Sequence, residues 1–95
     1  MGNHRLQFTR GALAGRLFRI PQGEYVVGRA ELCERDQHIS RRHLRVVCLN
    51  GSVFLADAGS ANKTYVNGQA ADTAAPLFQG VEVCIGGNTA VYTAF

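Results

Sequence analysis

The chain of 95 residues has no tryptophan, one lysine, two prolines and three cysteines, and it holds no long apolar run. Each shortage excludes something. Cys33, Cys48 and Cys84 are odd in number, far apart and without a CxxC pair. That spacing argues against the disulfide framework of a small secreted domain, so reduced thiols packed as small hydrophobes are expected. A zinc site could be assembled only from Cys33, His38 and His43, which lack a fourth ligand. No apolar stretch approaches the roughly 18 residues of a membrane span. The opening MGNHRLQFTRGALAGRLF scatters arginine and glycine among its apolar residues, unlike the charged-then-apolar layout of a signal peptide. The expected location is the cytoplasm, or the nucleus in a eukaryote, for a whole protein or for a domain of a longer chain. Repeats, low-complexity tracts and helical periodicity are also missing.

The composition is that of a soluble globular protein, with 46% apolar residues. The length predicts one domain, residues 1–95, with a modest core and a small margin of stability. The formal charge of +3 is unevenly spread. Residues 1–48 hold nine arginines against Glu24, Glu31, Glu34 and Asp36, whereas residues 49–95 hold Lys63 against Asp57, Asp72 and Glu82. The tightest basic knot is Arg35, Arg41, Arg42 and Arg45, with Arg29 nearby. Such a knot is either a solvated face or the footprint of an anionic partner.

Short runs rich in valine, phenylalanine and tyrosine alternate with glycine, asparagine and proline punctuation, the pattern of a sheet protein. Nine strands are expected, near Arg5–Thr9, Arg16–Ile20, Tyr25–Gly28, Leu44–Leu49, Val53–Asp57, Tyr65–Val66, Gln69–Ala70, Val81–Ile85 and Ala90–Thr93. Asn50-Gly51 and Asn67-Gly68 fit two-residue hairpin turns, since both residue types accept positive φ. Pro21 marks a turn before EYVVGR. In HLRVVCL, Leu44, Val46 and Cys48 share one face and Arg45 points the other way. In VEVCI, Val81, Val83 and Ile85 share a face opposite Glu82 and Cys84. This alternation predicts an all-β fold, a sandwich or barrel whose sheets each have one buried and one wet face.

Two polar, turn-rich segments interrupt these strands: DQHISRRH, residues 36–43, and GSANKTYVNG, residues 59–68. Read with the preceding VVGR, they give Gly-Arg, Ser-x-x-His, Ser-x-Asn-x-Thr and Val-Asn-Gly in that order, between about Tyr25 and Gly68. This series resembles the forkhead-associated (FHA) domain family, and the flanking strands extend the likeness over nearly the whole chain. The resemblance implies a twisted sandwich of two mostly antiparallel sheets, about nine to eleven strands, with a ligand lying across the loops at one end. It also implies the function: a phosphothreonine-dependent interaction module that docks phosphorylated partner segments. No catalysis and no cofactor are implied. The partner is a phosphothreonine-containing protein, which in turn implies an upstream Ser/Thr kinase; the oligomeric state is left open.

The residue types suit that task. A phosphothreonine carries about −1.5 to −2 charges and three acceptor oxygens. On the family pattern, Arg29 supplies a guanidinium fork and the Ser40 hydroxyl a short hydrogen bond. Arg41 adds charge, and the Asn62 carboxamide holds the peptide backbone. Ser60, Ala61 and Lys63 complete the phosphopeptide-binding set. Gly28, His43, Thr64, Asn67 and Gly68 are expected as scaffolding. Gly28 would let the chain turn, His43 would fix the SRRH backbone, and Ser60 and Thr64 would cap or bridge their own loop. Asn67-Gly68 would set a hairpin register.

Three departures from the family pattern stand out. Ala61 occupies a position where many members carry a serine or threonine hydroxyl that helps hold the phosphate. Lys63 stands where glycine is usual, which predicts about 1 kcal/mol of strain if φ is positive there; its ammonium could in part replace the missing hydroxyl. Arg29 and Ser40 are eleven positions apart, fewer than usual, so AELCERDQH is expected to shorten or lose a strand.

Three other readings compete. One is a structural or assembly domain of the same fold that binds partners independently of phosphorylation. A nucleic-acid binder is permitted by the sequence pI of about 9.1, but aromatics do not interleave with the basic knot as a stacking platform requires. An enzyme could be imagined from Ser40, His43 and Asp57, yet there is no nucleophile elbow and no P-loop.

Overall fold

The computed structural model describes residues 3–95. Ten strands and one helical turn follow in the order β1 (His4–Arg10), β2 (Leu17–Arg19), β3 (Gly23–Val27), α1 (Arg29–Leu32), β4 (Leu44–Leu49), β5 (Ser52–Asp57), β6 (Thr64–Val66), β7 (Gln69–Ala70), β8 (Ala75–Pro76), β9 (Glu82–Ile85) and β10 (Asn88–Ala94). They form two antiparallel sheets, one of six strands in the order β2-β1-β10-β9-β6-β7 and one of four in the order β3-β4-β5-β8.

The two sheets bury their inner faces against each other. Leu6, Phe8, Val83, Ile85, Ala90 and Tyr92 come from the larger sheet; Val27, Leu44, Val46, Cys48, Val53 and Leu55 come from the smaller. Each set follows the period of two expected of half-buried strands. Leu44, Val46 and Cys48 face inward, with Arg45 outward; Val83 and Ile85 are buried while Glu82 is exposed. The two Asn-Gly pairs form the tight turns expected. Asn50 and Gly51 have φ of 54° and 79°, and Asn67 and Gly68 of 53° and 80°. Positive φ at both central positions is the geometry that matches the twist of the flanking strands. The first of these turns fixes the pairing of Cys48 with Val53 and of Leu49 with Ser52. The cysteines are free.

Seven of the nine expected strands differ from the observed ones by one or two residues at an end, which is where ladder hydrogen bonds fade. Two elements were not expected at all. β8 is a two-residue strand, Ala75–Pro76, pairing with Leu55 and Phe54. Its length gives no alternation to read, and its proline sits at a sheet edge, where a missing N–H is tolerated. α1 is a single turn inside AELCERDQH. One turn is too short to show helical periodicity. It starts because the Glu31 carboxylate accepts the Gly28 N–H at 2.7 Å, satisfying a free donor at the helix start. The connection from β3 to β4 thus holds a helical turn and no strand, and β3 is an edge of the smaller sheet.

Register decides where the polar segments go. Val27, Leu44 and Asp57 lie side by side on β3, β4 and β5, and Thr64 pairs with Ile85 across the other sheet. Residues 28–43 and 58–63 consequently leave the sandwich at the same end.

Candidate functional site

The end of the sandwich is organised around the stretch from His38 to Ser40. The Arg29 Nε donates to the Ile39 carbonyl at 2.9 Å. The Ser40 Oγ accepts the Ala61 N–H at 3.1 Å. The Asn62 Nδ2 donates to the His38 carbonyl at 2.8 Å. Arg29, Ala61 and Asn62 thus bond three consecutive residues, Ile39, Ser40 and His38, which brings Arg29, Ser40 and Asn62 to one place. Each keeps capacity to spare. Arg29 retains its four Nη hydrogens, the Ser40 hydroxyl can donate while it accepts, and Asn62 retains its Oδ1 and a second amide hydrogen. Arg29 and Ser40 are half-buried, while Arg41, Ala61, Asn62 and Lys63 are exposed.

His43 braces these loops. It is fully buried. Its Nδ1 accepts the Ser40 N–H at 3.0 Å, and its Nε2 meets the Lys63 carbonyl at 2.8 Å. A ring that accepts at Nδ1 carries its proton on Nε2 when neutral, so Nε2 donates to Lys63. One imidazole thereby ties the 36–43 segment to the 58–63 segment. Lys63 has φ of 67°, the left-handed region that costs a non-glycine residue about 1–2 kcal/mol, and the His43 bond to its carbonyl helps hold it there.

Gly28 has a different role from the one expected. Its φ is −153°, extended backbone open to any residue. What requires glycine is space: a Cβ at position 28 would lie 1.8 Å from the Arg41 carbonyl oxygen. The SRRH backbone passes directly over Gly28, and the Arg29 N–H donates to the Ser40 carbonyl at 3.1 Å. Ser60, placed with the binding residues in the sequence, is buried and its hydroxyl is bonded to Asp57. It therefore belongs with Thr64, whose Oγ1 also donates to Asp57, at 2.9 Å. Asn67 and Gly68 form the β6–β7 turn away from these contacts. The Ser40, His43 and Asp57 grouping is no triad, because the Nδ1 of His43 faces a backbone amide and Asp57 serves Ser60 and Thr64. Cys33, His38 and His43 form no metal cluster, and none of three or more ligands exists among the described residues.

Three supporting residues escaped the sequence reading. Asp57 accepts from the backbone of Gly59 and Ser60 at 3.0 and 2.9 Å as well as from both hydroxyls. The signal was available: Asp-x-Gly-Ser is a turn in which an aspartate binds amides two and three residues on. Asp36 accepts the His38 N–H at 3.0 Å and the buried Asn88 Nδ2 at 2.8 Å. Asn88 in turn accepts the Leu13 N–H at 3.0 Å. This chain of bonds anchors the His38–Ser40 stretch to the β9–β10 hairpin. It joins residues 52 positions apart, so no local pattern announces it.

Burial pushes the Asp57 carboxyl up, but bonds from Ser60, Thr64 and Gly59 outweigh it and hold it below the ordinary carboxylate range. Asp36 is likewise held low, burial being outweighed by bonds from Asn88 and His38. A depressed folded pKa stabilises the fold above the unfolded value of about 3.9, and this is lost as pH falls through that value to the folded one. Denaturant midpoints measured from about pH 5 downward should therefore fall steeply, and Asp57→Asn should flatten the fall. An unchanged slope in that variant would refute the role given to Asp57.

An all-β sandwich presenting loop-borne donors at one end holds such residues on a rigid scaffold. The FHA domain family model matches residues 15–86, and the chain belongs to that family. FHA domains are phosphothreonine-dependent, non-enzymatic interaction modules. The glycogen accumulation regulator GarA of Mycolicibacterium smegmatis is 36% identical over 88 residues, a match covering 90% of this chain and 55% of GarA. The chain spans about half the length of the curated relatives it matches. One solved structure, from a structural and functional analysis of phosphothreonine-dependent FHA domain interactions, is 28% identical with a TM-score of 0.80, covering 96% of this chain and 95% of that one. The FhaA FHA domain complexed with the intracellular domain of Rv3910 is also 28% identical, with a TM-score of 0.78 over 94% of this chain and 98% of that one. No helix of the described residues is long and apolar enough to cross a membrane.

Proposed function

We propose that residues 1–95 act as one unit that docks a phosphothreonine-containing segment of a partner protein across the 28–43 and 58–63 loops. The observation that carries this reading is that bonds from Arg29, Ala61 and Asn62 to residues 38–40 bring the Arg29, Ser40 and Asn62 side chains together. In it, the free Nη groups of Arg29 and the Ser40 hydroxyl hold the phosphate, Arg41 adds charge, and Asn62 holds the peptide backbone. The likeness to the FhaA FHA domain complexed with the intracellular domain of Rv3910, and to a structure from an analysis of phosphothreonine-dependent FHA domain interactions, supports the assignment. The bacterial regulators among the relatives favour a cytoplasmic setting, where a Ser/Thr kinase would mark the partner.

The test is a titration with paired peptides that differ only in phosphorylation of one threonine. The phosphorylated form should bind in the micromolar range, about −8 kcal/mol, because a few charge-assisted bonds must offset the ordering of a flexible peptide. Equal affinity for both forms would favour the phosphorylation-independent assembly domain instead. Ala61 offers a gain-of-function check. Its N–H already bonds Ser40, but its methyl gives the phosphate nothing. Ala61→Ser should tighten phosphopeptide binding by about tenfold, the worth of one charge-assisted hydrogen bond, with no change for the unphosphorylated peptide. An unchanged affinity would mean that position 61 lies out of reach of the phosphate.

A further inference from the structure

We propose that the outer face of the smaller sheet binds a second copy of this chain, face to face, in a two-fold dimer. An antiparallel sheet with one solvated face alternates apolar with polar residues, whereas a continuous apolar run belongs to a strand buried on both faces. β4 contains Val46-Val47-Cys48-Leu49 and β5 contains Val53-Phe54-Leu55-Ala56, runs of the second kind. Their inward members fill the core. Val47, Leu49 and Phe54 point outward, joined by Val26 on β3, by Pro76 on β8 and by Phe78, which follows the buried Leu77. Register sets Val47, Phe54 and Pro76 in one row across three strands. Leu49, Phe54 and Phe78 are 44%, 37% and 69% exposed, half of the exposed large apolar side chains among the described residues, and all three lie on this face. The outer face of the larger sheet differs, since Arg5, Gln7, Thr89 and Thr93 make it polar. A contiguous apolar patch of this kind marks a contact site.

The charges at one end of the face decide its occupant. Arg42 and Arg45 lie on the β4 side of a groove, balanced there by Asp57 and Asp72. Balanced charge favours neither a strongly acidic nor a strongly basic partner, but it can be complementary to itself. Asp72 stands across the groove from the arginines, in the connection that leads into β8. Among the described residues neither arginine has a carboxylate within ion-pair distance, so the charges are free to pair between copies. A two-fold axis running along the strands between β4 and β5 sets Val47 of each copy against Phe54 of the other. The same axis carries Arg42 and Arg45 of each copy towards Asp72 of the other. Sheets packed in this way lie about 10 Å apart with their strands within about 30° of one another. Four strands about 4.8 Å apart and about 17 Å long make a face of roughly 300 Å² in projection, or roughly 500 Å² of accessible surface per copy. Two copies then bury roughly 1,000 Å², the low end of specific interfaces, which suits a reversible dimer. Because the axis follows the strands, both sets of end loops point the same way. On the phosphothreonine reading above, the pair holds two phosphothreonines of one partner at once; the self-association itself needs no peptide and stands apart from that reading.

Sedimentation equilibrium of the 95-residue chain without peptide tests this, from about 10 μM to about 1 mM. The mean mass should rise from the 10.3 kDa of one chain towards twice that, with a dissociation constant on the order of 100 μM. Phe54→Glu, an outward substitution whose fold a thermal melt checks, should weaken dimerisation at least about tenfold. The charge contacts give a second test that leaves the apolar row untouched. Asp72→Arg as one variant, and Arg42→Asp with Arg45→Asp as another, should each dimerise about tenfold more weakly. An equimolar mixture of the two should recover the parent association, because every charge contact between unlike copies is then opposite in sign. A chain that stays monomeric at about 1 mM, a dimer indifferent to Phe54→Glu, or charge variants that fail to complement each other overturns the proposal. In the first case, binding of the monomer to phosphatidylcholine vesicles, lost in Phe54→Glu, would assign the face to a lipid surface instead.

Discussion

Arg29→Ala will lower phosphopeptide affinity by at least about a hundredfold and leave the fold intact. The magnitude follows from the geometry. The Nε of Arg29 is bonded to the Ile39 carbonyl, which fixes the guanidinium plane and leaves both Nη groups for one anion. Two parallel charge-assisted bonds contribute about 3 kcal/mol or more, and each 1.4 kcal/mol is a factor of ten. The fold survives because Arg29 lies half-exposed at the first position of α1, where water can replace its bond to Ile39. Arg29→Lys should recover little, since an ammonium is a point charge without the fork. Isothermal titration with a phosphothreonine peptide, alongside a thermal melt of each variant, decides the matter. An affinity within threefold of the parent would remove Arg29 from the site.

Gly28→Ala should produce the largest loss of stability of any single methyl added to this end of the molecule. The new Cβ would meet the Arg41 carbonyl oxygen at 1.8 Å, its carbon at 2.4 Å and the Ser40 carbonyl oxygen at 2.8 Å. All three are backbone atoms, so no side chain can rotate away. The SRRH segment must lift, stretching the Arg29 N–H bond to Ser40 and the Ser40 N–H bond to His43. Overpacking of this kind costs about 3 kcal/mol. In a domain of this size each kcal/mol moves the melting point by about 4–8 °C, so a fall of roughly 15 °C is expected, with phosphopeptide affinity lost alongside it. Gly51→Ala is the contrasting control. Gly51 has φ of 79° with nothing near its would-be Cβ, so that variant carries conformational strain alone, about 1 kcal/mol. Equal melting points for the two variants would refute the close-approach account of Gly28.

Both results bear on the residues from Gly28 to His43, the part of the chain hardest to read in advance. AELCERDQH was expected to shorten or lose a strand; it holds a one-turn helix that depends on a single bond from Glu31. The His38–Ser40 platform depends on Asp36 and Asn88, and that pairing becomes visible only when β10 is brought across the sandwich. Ser60 is a local case by contrast. Its residue type suits either phosphate or a neighbouring carboxylate, and Asp57, three residues before it, selects the second.

The sequence by itself determined the all-β class, the alternation that assigns each strand an inner and an outer face, the two Asn-Gly turns and the motif series of the FHA family. These are local properties, fixed by side-chain period, by the positive φ that asparagine and glycine accept, and by motif order. Tertiary structure alone decided that Gly28 answers to space rather than to torsion and that Asp36 and Asn88 together anchor the His38–Ser40 stretch. Each of those outcomes depends on distances between segments remote in the chain, set by sheet register and packing rather than by the residues next in line.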